Sequence, residues 1–204
     1  MTSFADRARP PRTLTELEQT KILKVTGEHR AGYRDHVIVA LALGTGLREH
    51  EIAALDVGDI VHPDGRVLRR VALRVFKRSS RRPAPQEVFV PDALWYKLSK
   101  YIDWKLRRGE RTDREAPLFV SRLGKRIATR TLRHLFHVWQ HRAGFDRAFN
   151  FHSLRHTSLT NAYRSTRDIR LVQRLARHKS VDTTTIYAAV ADEDLFQAVR
   201  SMPC

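Results

Sequence analysis

Cysteine is all but missing from this chain: Cys204, its last residue, is the only one. No internal disulfide can form, and a reducing compartment is the simpler setting. Long apolar runs are missing as well. The longest, Val37 to Leu43, falls far short of the roughly 20 apolar residues that span a bilayer. No charged segment followed by an apolar stretch and a small-residue cleavage site opens the chain, so no secretory leader is expected. Acidic residues are scarce, 22 Asp+Glu against 38 Lys+Arg, which leaves a formal net charge of +16. Such an excess draws polyanions, nucleic acid ahead of anionic membrane. Of the 38 basic residues 30 are arginine and only 8 lysine. The planar guanidinium fork suits bidentate contact with phosphate oxygens.

What remains has a globular balance. The chain has 204 residues, 42% hydrophobic and 29% charged, enough to bury a core without disulfide or metal staples. Residues 1–13 read as a basic arm, with Arg7, Arg9 and Arg12 around Pro10 and Pro11. Thr15 and Glu18 stand at capping-box spacing and open a helix. Tyr33 to Leu43 is apolar almost all round and reads as a buried helix, stopped by Gly44-Thr45-Gly46. A short helix follows over Glu49 to Leu55. Val71, Leu73 and Val75 then alternate with Ala72, Arg74 and Phe76, and Val88 and Val90 form a second short run. The basic, proline-containing stretch between them predicts an antiparallel hairpin with a charged tip.

The rest is helical in pattern. Asp92 is placed to cap a helix with Leu94, Leu98, Ile102 and Leu106 at fourfold spacing. Further helices are expected over Thr129 to Arg142, Ser153 to Tyr163 and Asp168 to Ala176. The fold class is therefore mainly α with one small antiparallel β-sheet (α+β), in one domain over residues 14–190, with a C-terminal tail over 191–204. Leu195, Phe196 and Val199 make an apolar set in that tail.

Four separated stretches carry chemistry. In Gly44-Thr45-Gly46-Leu47-Arg48-Glu49-His50-Glu51, a glycine-punctuated turn delivers Arg48 to the start of a helix. Glu51, three residues on, shares its face and can orient it. At the hairpin tip, Lys77 is the only lysine between Lys24 and Lys97. An ammonium can give up a proton where a guanidinium effectively cannot. Arg78, Arg81 and Arg82 beside it suit phosphates. In Phe151-His152-Ser153-Leu154-Arg155-His156-Thr157, His152 and Arg155 face the same way on a helix. His152 and His156 also have i,i+4 metal-ligand spacing, but no glutamate follows His152 in zincin fashion and no cysteines cluster, so no metal is expected. Finally, His178 precedes Tyr187 by nine residues across a threonine-rich segment. Taken singly, each stretch also reads as an ordinary surface or packing feature.

Their order and spacing are another matter. Arg48, Lys77, His152, Arg155, His178 and Tyr187, with Thr45-Gly46-Leu47-Arg48 and Glu51, His152-Ser153-Leu154-Arg155-His156-Thr157, and His178 through Thr183-Thr184 to Tyr187 as the best matches, resemble the tyrosine recombinase (phage integrase) family over Thr15 to about Val190. The resemblance implies a site-specific recombinase or integrase, acting on double-stranded DNA through a covalent 3′-phosphotyrosyl intermediate at Tyr187, without ATP, cofactor or metal. Arg48 and Arg155 would clamp the phosphate, His152 and His178 would hydrogen-bond it with one of the two handling the nucleophile's proton, and Lys77 would protonate the leaving 5′ oxygen. The chemistry is self-consistent, because a covalent intermediate stores the bond energy needed for resealing and guanidinium groups stabilise charge developing on the phosphate oxygens. A type IB topoisomerase-like enzyme, or a catalytically silent DNA-binding protein, are the alternatives.

The resemblance further implies a homo-tetramer on DNA coupled through the tail helix, a monomer or weak oligomer off DNA, accessory DNA-bending proteins, and a cytoplasmic, DNA-associated location in a bacterial, archaeal or phage-infected cell. Three features depart from the family's pattern. Arg177 stands where glycine usually precedes the last histidine. His50 replaces a small residue, and Phe76 and Arg78 flank Lys77 in place of glycine. The family's N-terminal helical clamp also has no counterpart in residues 1–13. The chain would be either a minimal recombinase or one lacking its clamp half, with Arg7, Arg9 and Arg12 taking over some phosphate contacts.

Overall fold

A computed structural model describes residues 11–29, 31–73, 86–189 and 199–200. Arg7, Arg9, Lys77, Arg78, Arg81 and Arg82, with Leu195 and Phe196 of the tail, lie outside the described residues.

The chain enters the fold at Leu14, which is buried and donates its backbone N–H to Thr157 Oγ1 at 2.9 Å. Helix α1 (Glu16–Glu28) begins with the expected capping box. Thr15 Oγ1 accepts the Glu18 N–H at 3.2 Å, and Glu18 Oε2 accepts the Thr15 N–H at 2.7 Å. Helix α2 (Tyr33–Thr45) is the centre of the molecule, with every residue from Val37 to Ala42 buried. An apolar surface on all sides requires partners on all sides. α1, α5 (Asp92–Arg107) and α7 (His152–Thr166) supply them.

Gly46 ends α2 at φ 62 and returns its N–H to the Ala42 carbonyl at 3.0 Å. This is the left-handed cap for which glycine has no steric penalty. The sharp stop turns the chain into α3 (Glu49–Ala54), with Arg48 at its N-cap. A four-residue helix, α4 (Val57–Ile60), follows; it is too short for periodicity to have announced it.

Strands β1 (Arg70–Leu73) and β2 (Gln86–Phe89) pair antiparallel, with Val71 opposite Val88 and Leu73 opposite Gln86. Val71, Leu73 and Val88 are buried, as the alternation required. In α5 two expectations need correction. Pro91, not Asp92, occupies the N-cap position, and Asp92 instead pairs with Arg69. Leu106 is also 56% exposed. Fourfold spacing drifts around a helix of 3.6 residues per turn, so the inward stripe passes from Leu98 to Tyr101, Ile102 and Lys105 and leaves Leu106 outside. Lys105 is fully buried, its charge met by Glu110 at 2.8 Å.

Helix α6 (Thr129–Arg142) packs Leu132, Leu135, Phe136 and Trp139 inward. Helix α7 runs three residues beyond its expected end. Helix α8 (Ile169–Ala176) is capped by Asp168, whose carboxylate accepts the N–H groups of Arg170 and Leu171. The main core surrounds α2. A second, smaller buried cluster joins Leu159, Val172, Ala176 and Tyr187, with Tyr163, Leu175 and Ile186 packed against it.

Candidate active site

The site lies where the end of α2, the start of α3, the first turns of α7 and the chain after α8 meet. Arg155 ties them together. Its side chain is buried within α7. One terminal nitrogen donates to the Gly46 carbonyl and the other to the Ala176 carbonyl at 2.5 Å. The turn that presents Arg48 and the turn that presents His178 are thus bonded to one guanidinium. Burial and the nearby positive charges of Arg48 and Arg177 push the Arg155 pKa down to about 10, which still leaves it charged at neutral pH.

Arg48 is the more open of the two arginines, its side chain 31% exposed. Glu51 orients it as its spacing predicts. Oε1 accepts from Arg48 Nη1 at 3.0 Å, and Oε2 accepts the Arg48 backbone N–H at 2.7 Å. Glu51 is itself buried and shared with Arg177, whose Nη2 donates to Oε2 at 2.5 Å. Burial works to raise the Glu51 pKa. The charges of Arg177 and Arg48 outweigh that and hold it below the usual carboxylate range.

Arg177 adopts φ 55, the left-handed conformation in which its glycine counterpart would be unstrained. Its side chain gives Glu51 a second cation. Among the described residues, the buried Arg177 Nε atom finds no hydrogen-bond partner.

His178 follows that turn. Arg155 Nη2, which can only donate, lies 3.3 Å from His178 Nε2. Nε2 therefore accepts, and the ring proton sits on Nδ1, 3.1 Å from Thr184 Oγ1. Partial burial and the charges of Arg155, Arg48 and Arg177 press the His178 pKa down to about 4. His152 stands at the N-terminus of α7 with its ring reaching solvent. Partial loss of hydration, then Arg155 and Arg48, lower its pKa.

Tyr187 sits in the short helical stretch 185–189 and is only 1% exposed. Its ring stacks on His178, with centroids 6.2 Å apart and planes 19° from parallel. Its hydroxyl lies 3.2 Å from His156 Nδ1. Burial raises the phenol pKa, partly opposed by Arg155 and Arg48. Arg12 is exposed and, with Pro11, Asn150, Ser153 and His156, lines a cleft of about 380 Å³ beside the site.

The structure therefore brings Arg48, Glu51, His152, Arg155, His178 and Tyr187 into one constellation and places Arg12 at its edge. Two participants escaped the sequence reading. Spacing offers His156 as a metal ligand and the motif contains it without a role, yet it touches the phenol. Arg177 was read as a departure, yet it completes the Glu51 bridge. Among the described residues no three His, Cys, Asp or Glu side chains converge as a metal-ligand set.

A mainly helical domain with a two-stranded sheet thus gathers two arginines, histidines and a tyrosine around one point. The chain belongs to the phage integrase family, which matches residues 12–194. It is 28% identical to the tyrosine recombinase XerC of Vibrio cholerae over 187 residues, 92% of this chain and 57% of that protein. The chain spans little more than half the length of the curated relatives it matches. The crystal structure of XerA recombinase superposes with a TM-score of 0.75 at 27% identity, covering 96% of this chain and 68% of that one. XerH site-specific recombinase bound to a palindromic difH substrate, in a post-cleavage complex, shares the fold with a TM-score of 0.74 at 22% identity, over 95% of this chain and 54% of that one.

Proposed function

We propose that this chain is the catalytic part of a site-specific DNA recombinase that cuts and rejoins double-stranded DNA through Tyr187. The observation that carries the reading is the meeting of Arg48, Arg155, His178 and Tyr187, residues far apart in sequence, with Arg155 bonded to both flanking turns.

A phosphodiester enters against Arg48, the exposed guanidinium, and comes to rest between it and Arg155. The Tyr187 oxygen attacks phosphorus. Negative charge grows on the non-bridging oxygens and is met by the two guanidinium groups and by His152 and His178. The bond to the 5′ oxygen breaks and that oxygen takes a proton, the role assigned to Lys77. The product is a 3′-phosphotyrosyl bond, which keeps the energy of the broken one, so resealing on a new strand needs no ATP.

Residues 14–190 form the catalytic domain in this reading and 1–13 a basic arm on the DNA backbone, with Arg12, Arg78, Arg81 and Arg82 on phosphates. The tail, residues 191–204, reaches a neighbouring copy in a tetramer on DNA. Val199 is 53% exposed, which suits such a role.

The test is a library of nicked duplexes with a randomised centre, in which a released fragment prevents resealing. A protein–DNA band that survives SDS and maps to Tyr187, and that vanishes in Tyr187→Phe, is the expected result; no such band rejects the reading. Strand exchange between two trapped sites separates recombination from topoisomerase-like relaxation, which leaves partners unexchanged.

A further inference from the structure

The buried phenol needs a proton acceptor. Burial keeps Tyr187 protonated at neutral pH, and attack on phosphorus requires the proton to go elsewhere. Among the described residues, the hydrogen-bond partner of its oxygen is His156 Nδ1, at 3.2 Å. His178, though stacked on the tyrosine ring, has both nitrogens engaged, Nε2 by Arg155 and Nδ1 by Thr184. His152 meets His156 edge to face, with centroids 4.6 Å apart, and lies toward solvent.

We propose that His156 is the general base of strand cleavage, taking the Tyr187 hydroxyl proton on Nδ1 and returning it at resealing. The inference rests on Tyr187 being the nucleophile. The balance is complete. The phenol O–H bond breaks as the oxygen–phosphorus bond forms, and His156 becomes imidazolium. The phosphorus–5′ oxygen bond breaks, and the departing oxygen takes a proton from the general acid assigned to Lys77. In the reverse step the 5′ hydroxyl attacks, and imidazolium reprotonates the leaving phenoxide.

Two further features fit this role. His156 follows Arg155 directly on α7, so acceptor and phosphate clamp share one helix. His156 also borders the cleft of about 380 Å³ lined by Arg12, Asn150 and Ser153, which gives its proton a path to solvent that the phenol lacks.

Electrostatics supply a safeguard. Burial first, then His152, Arg155 and His178, hold the His156 pKa at about 4, and Arg12 lines the same cleft. The imidazole therefore leaves the phenol proton in place at rest. A phosphodiester anion between Arg48 and Arg155 offsets that positive field and makes the ring more basic as substrate arrives.

The experiment uses the full chain and a nicked duplex recovered by trapping with wild-type protein. His156→Ala and His156→Gln are compared with wild type in DNA affinity, in the rate of Tyr187 adduct formation, and with added imidazole. The expected result is DNA binding within about twofold of wild type and adduct formation slowed roughly 10²-fold or more. Imidazole, small enough for the vacated space, restores part of the His156→Ala rate in proportion to its neutral fraction. Adduct formation within threefold of wild type in both variants, or a loss that imidazole does not relieve, overturns the proposal. A wild-type chain that forms no adduct at Tyr187 fails at the earlier step and removes the nucleophile along with its base.

Discussion

The core around α2 and the small cluster around Tyr187 are built from the same kinds of side chain on very different scales. The first takes in Val37 to Ala42 and the inward faces of α1, α3, α5, α6 and the start of α7. The second is Leu159, Val172, Ala176 and Tyr187 with a few half-buried neighbours. Burying one large aliphatic or aromatic side chain contributes about 1.5–3 kcal/mol. The large core thus dominates folding, and the small cluster holds its segment only modestly. Segments of low local stability are the ones that move in function, and the small cluster contains Tyr187, the nucleophile of the proposed reaction. Arg155 joins the regions, with one arm on Gly46 at the edge of the large core and the other on Ala176 in the small one.

The most severe way to break this comparison is to remove the joint. Arg155→Ala leaves the Gly46 and Ala176 carbonyls without their partner, at about 1–3 kcal/mol for each buried group left unpaired. In the proposed reaction it also slows adduct formation, roughly 10²–10³-fold or more, because a donor to the phosphate oxygens is lost. Denaturant unfolding and the suicide-duplex assay read the two losses. A variant as stable as wild type would mean that the regions do not depend on the joint.

Leu41→Ala, inside the large core, is expected to cost about 2–5 kcal/mol of global stability. Val172→Ala, inside the small cluster, is expected to cost about 0.5–3 kcal/mol. Its mark is local: hydrogen exchange speeds up in α8 and around Tyr187 while α2 keeps its protection. Equal loss of protection in α2 would show that the two clusters unfold as one.

Acid sharpens the contrast further. His156 and His178 are held neutral in the fold, with pKa values near 4, whereas an unfolded histidine titrates near about 6.5. As pH falls through that upper value, the unfolded chain takes up protons that the folded one refuses. Stability present above about pH 6.5 is therefore lost progressively toward about pH 4. Glu51, whose pKa is lowered by Arg177 and Arg48 against its burial, adds a further loss that begins as pH falls through the ordinary carboxylate range and grows below it. Unfolding curves across this window should be flatter in His156→Gln than in wild type; an unchanged slope would show that His156 does not contribute.

The smallest effects come from two arginines with the same backbone. Arg167 and Arg177 both sit at φ 55, a conformation costing roughly 1–2 kcal/mol in residues other than glycine. Arg167 is exposed, and Arg167→Gly should stabilise the protein by about 1 kcal/mol. Arg177→Gly relieves the same strain but forfeits the contact with Glu51. A gain equal to that of Arg167→Gly would mean that the Glu51 bridge adds nothing.

Much of the fold was legible because its signals are local. The capping box at Thr15, the alternation through Val71 and Leu73 and the all-apolar α2 each declare a conformation within a few residues. Where local pattern misled, geometry explains it: the fourfold leucine series in α5 rotated out of the core at Leu106, and a single turn such as α4 is too short to show a period. Motif order also placed the chain in its family before any contact was visible. It could not show that the phenol of Tyr187 rests on His156, 31 positions away, or that Arg177 meets Glu51 across 126.

The sequence by itself determined the basic character, the helical architecture and the types of residue available for phosphate chemistry, since composition and short-range periodicity reside in neighbouring residues. Only the tertiary structure decided which turns Arg155 binds, how Glu51 is shared and which imidazole touches the phenol. Those relations depend on where packed helices bring distant backbone carbonyls and side chains together, and spacing along the chain carries no record of that.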